Sequence, residues 1–141
     1  MKLIALAALC ACIPDNGPLM RPGEDCMACH GGTGNLLPGV QRRHAKAWTA
    51  AGTVFSSADP AVGVEGAYVE ITDATGFAFS PRTNLAGNFY TRETLQFPLQ
   101  RACIAFEGVT HCQQSPVAGG SCNSCHGLAF LGATQPPLMA P

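Results

Sequence analysis

A mainly β protein is what the sequence predicts: an antiparallel β-sandwich with short, largely irregular segments at both ends. Three observations carry that expectation. Strand-like runs with period-two alternation recur between Trp48 and about Gln113, each closed by a turn signal. Charged residues are only 12% of the 141 positions, while 16 Gly and 11 Pro interrupt the chain, which suits short strands and loops better than a helical bundle. Helical periodicity supports only a short helix near residues 40–49.

The chain opens with "MKLIALAALCAC", one Lys followed by an apolar run (Leu3–Leu9) and then small residues. This is a signal-peptide layout over residues 1–11, and the run is too short to span a bilayer. A buried terminal strand or helix is the alternative. Within it, "LCAC" resembles a bacterial lipobox, which implies lipidation of Cys12. Cys10 ("AALC") is a second candidate, and cleavage without lipid a third outcome. The expectation is export to the periplasm, to the outer membrane through a lipid anchor, or to the outside. A net charge of -1 offers no electrostatic footprint for nucleic acid.

Eight Cys in so short a chain need an explanation. Two sets of them stand in "CMACHGG" (Cys26–Gly32) and "SCNSCHG" (Ser121–Gly127), near opposite ends. Cys-x-x-Cys-His is the attachment signature of c-type haem: two thiols join the porphyrin and the adjacent His binds iron. A redox dithiol belongs in a βαβ setting that is missing here, and zinc ribbons place their Cys pairs about 15–20 residues apart, far closer than these. The expectation is two haem c groups, held by Cys26, Cys29 and His30 and by Cys122, Cys125 and His126. Residues 12–47 and 116–141 then form N- and C-terminal haem segments around a sandwich over 48–115.

Two haems need four axial ligands, and the chain has four His. "GVQRRHAKAW" places Val40, His44, Ala47 and Trp48 on one face of the expected helix, so that His44 serves the first iron and Trp48 packs on a porphyrin. Arg42, Arg43 and Lys46 either pair with propionates or form a solvated face. His111, on a strand before the second motif, is the expected ligand of the second iron. Met20, Met27 and Met139 compete, and a Met ligand would raise the potential relative to bis-His.

Between the motifs, "WTAAGTVF" reads as a first strand. "VEGAYVEITDATG" alternates Val69 and Ile71 against Tyr68, Glu70 and Thr72, and ends in an Asp-x-x-Gly turn. "FAFSPRTN" and "NFYTRETL" are two further strands, with Pro81 and Pro98 expected at edges or bends. In "CIAFEGVTHC", a two-residue turn at Glu107-Gly108 would pair Phe106 with Val109 and set Cys103 opposite Cys112 at a non-hydrogen-bonded position. A cross-strand disulfide follows in an oxidising compartment. Two free buried thiols are the alternative.

Gly52, Val54, Gly66-Ala67, Val69, Ile71, Asp73, Gly76, Thr83-Asn84, Gly87 and Phe89-Tyr90 together resemble the carboxypeptidase-regulatory-like (transthyretin-like) β-sandwich, over about half the chain. That resemblance implies an Ig-like Greek-key sandwich with no catalytic residues of its own. The whole chain is similar to small exported di-haem c-type cytochromes carrying such a sandwich between their motifs. The implied function is electron relay to redox partner proteins, among them other multihaem cytochromes. If the sandwich ends emerge together, the haems pair within one monomer. If they emerge at opposite poles, repetition head to tail gives a homo-oligomer resembling extracellular cytochrome filaments. A di-haem peroxidase-like enzyme or a redox sensor with one open iron position is the rival, and a binding module with sensing haems a third reading.

Overall fold

The computed structural model describes residues 19, 21–31, 47–127 and 135–141. The expectations for Cys10, Cys12, Met20, Arg42, Arg43, His44, Lys46 and the helix as far as residue 46 lie outside the described residues.

The described chain is mainly β, with two short helices. In order it forms α1 (Cys26–His30), β1 (Ala50–Phe55), β2 (Tyr68–Thr72), β3 (Ala78–Phe79), β4 (Asn88–Thr91), β5 (Arg101–Phe106), β6 (Val109–Cys112), α2 (Cys122–His126) and β7 (Leu138–Met139). Two sheets result, ordered β4-β1-β7 and β3-β2-β5-β6. They share one core, to which the first contributes Val54 and Phe89, the second Val69, Ile71 and Ile104, and the connections Leu95 and Leu99.

The alternation in β2 does what its period demands. Val69 and Ile71 are buried, whereas Tyr68 faces solvent with Glu70 and Thr72 beside it on the outer side. Pro81 lies beside β3, the edge of its sheet, where its carbonyl accepts from Val69 and no amide is required of it.

Two local expectations are corrected. Ala47–Thr49 are not helical, and β1 starts at Ala50 rather than Trp48. The reason lies in the amides: Trp48 N–H donates to the His30 carbonyl (2.9 Å) and Thr49 N–H to the Thr91 carbonyl (2.9 Å), so neither is left for a helix. The first sheet is also mixed, because β7 runs parallel to β1, Val54 opposite Leu138 and Phe55 opposite Met139.

The hairpin of β5 and β6 has the register the turn dictates. Glu107 (φ 49°) and Gly108 (φ 83°) both occupy the left-handed region, the requirement of a type I′ turn. Phe106 then meets Val109, Ile104 meets His111, and Cys103 meets Cys112, to which it is disulfide-bonded. Opposed residues share a face. His111 therefore shares the face of Ile104, exposed like the rest of the edge strand β6, and the disulfide lies on the other face with Glu70, the β2 partner of Cys103. By loop entropy this bridge is worth about 2–3 kcal/mol. Replacing both Cys103 and Cys112 with Ser is expected to lower unfolding stability by that amount, read from the denaturant midpoint under oxidising conditions; an unchanged midpoint would contradict it.

Asp73 anchors the turn after β2. Its Oδ1 accepts from the Thr75 amide (2.8 Å), the Thr75 hydroxyl (2.7 Å) and the Phe77 amide (3.0 Å), and its Oδ2 from the Gln96 amide (2.9 Å). These donors, Gln96 foremost and then the Thr75 hydroxyl, hold the carboxyl down to about 2. Because the folded value lies below the unfolded one (about 3.9), the carboxylate's contribution is present above about pH 4 and is lost as pH falls through about 2. Asp73→Asn is expected to lower the melting temperature at neutral pH and to flatten its decline between those two values. Thermal unfolding across that range checks this, and an unaltered acid limb would count against it.

Candidate site at the two Cys-x-x-Cys-His helices

The two motifs stand near opposite ends of the sequence, yet both helices settle on β1. Their meeting point is Thr53, which is fully buried. Its hydroxyl uses all three of its bonding positions. It donates to Asn88 Oδ1 (2.7 Å) and accepts from the Gly23 amide (2.9 Å) and from Asn123 Nδ2 (3.0 Å). Asn123, an interior residue of the second motif, is itself only 4% exposed. Its Oδ1 accepts from the Thr53 amide (2.9 Å), and its Nδ2 also donates to the Glu24 carbonyl (2.8 Å), just ahead of the first motif.

Several local features make this seating possible. The Ala51 amide donates to the Gly120 carbonyl (2.9 Å), so the chain entering α2 continues the sheet along the free side of β1. Gly52 is required there, since a Cβ at that position would come within 2.8 Å of both the Cys122 Cβ and the Phe89 ring. Asp25 caps α1 by accepting from the Met27 amide (3.0 Å), and it also accepts from the Ser121 hydroxyl at the start of α2.

The first cysteine of each motif is the sheltered one, while Cys29 and Cys125 are exposed. Burial, reinforced by Asp25, Cys29 and Glu24, pushes the Cys26 thiol up to about 11. Burial again, with the nearby Cys26 and Cys125, pushes Cys122 up to about 12. A thiol of the first motif thus bears on the ionisation of one in the second.

Around the second motif a cavity of about 570 Å³ opens between the sheets. Cys122, Cys125 and His126 line one part of it, and His111 another, as its place beside Ile104 requires. Val69, Ile71, Phe89 and Leu99 supply apolar wall, while Pro136, Pro137, Leu138 and Met139 border it from the C-terminal segment. The His126 Nδ1 lies 2.9 Å from the Pro136 carbonyl. A carbonyl can only accept, so Nδ1 carries the proton and Nε2 keeps a lone pair for a metal. The Gln135 amide donates to the Cys125 carbonyl (2.8 Å), which ties the residue before Pro136 to the end of the motif.

The first motif has a different surrounding. The His30 ring stacks on Trp48 (centroids 3.9 Å apart, 11° between planes), and Trp48 stacks on Tyr90 (4.2 Å, 10°). Arg92 lies over the Tyr90 ring, 5.5 Å from its centre. Trp48, expected to meet a porphyrin, thus meets the imidazole of the motif itself.

The structure brings Cys26, Cys29 and His30 onto one helix and Cys122, Cys125 and His126 onto another, and sets His111 at the cavity beside the second motif; His44 lies outside the described residues. Sequence reasoning missed Thr53, Asn123 and Pro136. Only Asn123 left a trace, as a polar residue in the motif's interior; Thr53 and Pro136 gave none. Among the described residues no three His, Cys, Asp or Glu side chains converge as a bare metal ion would require.

Compared with protein-family models, curated proteins and solved structures, the chain matches none of them.

The thiol environments make a kinetic forecast for the haem-free chain. The exposed Cys125 is expected to be alkylated ahead of the sheltered Cys26 and Cys122 at mildly alkaline pH. Cys26 and Cys122 should lag, accelerating only as pH approaches about 11 and about 12. Mass spectrometry of iodoacetamide-treated protein checks the order, and equal rates at Cys122 and Cys125 would refute it.

Proposed function

We propose that this protein is an exported electron carrier, a di-haem c-type cytochrome, rather than an enzyme. The observation that supports this most is the cavity at the second motif. Two thiols of a Cys-x-x-Cys-His motif, its His and a second His all border one mainly apolar space. Its volume of about 570 Å³ falls in the range of about 300–1,000 Å³ usual for bound organic ligands. The donor set and the space fit haem c, and the Pro136 carbonyl already fixes the tautomer that an iron-bound His126 needs.

When bound, haem supplies one-electron chemistry at iron, with a potential set by axial ligands, burial and hydrogen bonding. The chain's own residues do the rest. Cys122 and Cys125 would hold the group covalently, and His126 and His111 would be its iron ligands. Val69, Ile71 and Phe89 keep water from it. Cys26 and Cys29 would hold the second group with His30 and His44. The disulfide at Cys112 fixes the strand carrying His111, which would limit how far that imidazole moves.

A second ligation is favoured by one observation: Met139 borders the same cavity, so His126/Met139 competes with His126/His111. The seating of both motifs on β1 supports a carrier whose haems belong to one chain and weakens the reasoning for a head-to-tail filament, which assumed motifs at opposite poles. Redox partner proteins outside the cytoplasm, and a lipid anchor at Cys12, complete the proposal.

Protein exported from a host with c-type maturation is expected to carry two covalent haems by pyridine haemochrome, both low-spin. His111→Ala should turn one of the two high-spin at every protein concentration, while Met139→Leu leaves both low-spin. A high-spin shift in Met139→Leu alone would assign the ligand to Met139. Absence of covalent haem would end the cytochrome reading.

A further inference from the structure

We propose that Asn123, held by Thr53, clamps the two attachment motifs into a single two-haem site within one chain, with Cys26 and Cys122 as neighbours at its centre. This rests on the haem reading and goes beyond it. Two motifs far apart in sequence are otherwise free to sit anywhere on a sandwich.

The clamp is specific in where it attaches. Asn123 is the residue next to Cys122, and its Nδ2 reaches the Glu24 carbonyl (2.8 Å) and lies 4.0 Å from the Cys26 Sγ, 97 residues away. The Thr53 hydroxyl grips the same two segments from below, through the Gly23 amide and Asn123. The Ser121 hydroxyl donates to Asp25, a third tie between the residues that precede each motif. Every tie lands within a few residues of a first cysteine, and none joins sheet to sheet.

The chemistry of these groups suits a clamp. Both Nδ2 hydrogens of Asn123 and all three positions of the Thr53 hydroxyl are used, and both residues are buried. A buried network with every member satisfied has one low-energy arrangement, so it fixes a distance rather than merely permitting it. Thioethers formed at Cys26 and Cys122 would hold two porphyrin edges as neighbours. Two such chromophores at a fixed short separation couple optically, whereas distant ones do not.

The test is circular dichroism across the Soret band on the full chain carrying both haems, at low and high protein concentration. The expected result is a bisignate couplet that dilution does not change. It should collapse to a single-signed band in a one-haem variant, Cys26→Ser with Cys29→Ser. Asn123→Asp keeps an acceptor for the Thr53 amide but gives up both donors. Loss of couplet amplitude in that variant, with two haems still attached, would assign the clamp to Asn123.

An unaltered couplet in Asn123→Asp would overturn the role given to that residue. A wild-type spectrum equal to the sum of two isolated haems would overturn the single site while leaving the cytochrome reading intact. So would a couplet that disappears on dilution, since the pair would then lie between chains. Absence of covalent haem would overturn both.

Discussion

Thr53 lies within β1 with its backbone amide met by a side chain rather than by a strand, and with its hydroxyl enclosed. Asn123 answers both needs at once, and in doing so it draws the start of α2 against β1 and the approach to α1 against α2. Leaving either partner unmatched in this buried position would cost about 1–3 kcal/mol. A requirement as elementary as pairing one amide and one hydroxyl therefore settles where both cysteine motifs sit, and Gly52 must be small so that nothing opposes it.

The cavity is built by a different logic, that of strand register. Once the turn at Glu107-Gly108 is fixed, His111 has no choice of face: it shares that of Ile104, and the disulfide shares that of Glu70. A shift of one residue would send the imidazole to the other face. The bridge at Cys112 holds the edge strand in the register that aims its neighbour, so a covalent bond on one face of the sheet governs which residue stands on the other.

Much of this was legible in the sequence wherever the signal was local. Alternation in "YVEIT", the Asp-x-x-Gly turn at Asp73 and the hairpin register all depend on residues close together, whose periods and turn preferences are intrinsic to the chain. The cysteine motifs were legible for the same reason. What escaped was long-range. Trp48 and Thr49 looked like the end of a helix, but their amides are claimed by His30 and Thr91. β7 gave no sign of a parallel pairing with β1, because two residues carry no period. Thr53, Asn123 and Pro136 matter through partners far along the chain, and nothing in their immediate neighbours announces that.

β1 is buried along all six residues and is mostly apolar, "AAGTVF". On one side it has β4, a continuous strand. Its other side is closed piecemeal, by the Gly120 carbonyl, the Asn123 side chain and the two residues of β7. All three pieces come from the C-terminal end. Until that end is in place, the strand offers an open apolar edge of the kind on which a second molecule can add a strand of its own. The final residues of the chain thus act as a seal against aggregation as well as a border for the cavity, and a protein cut short or caught half-folded would be prone to self-association before any cofactor entered the question.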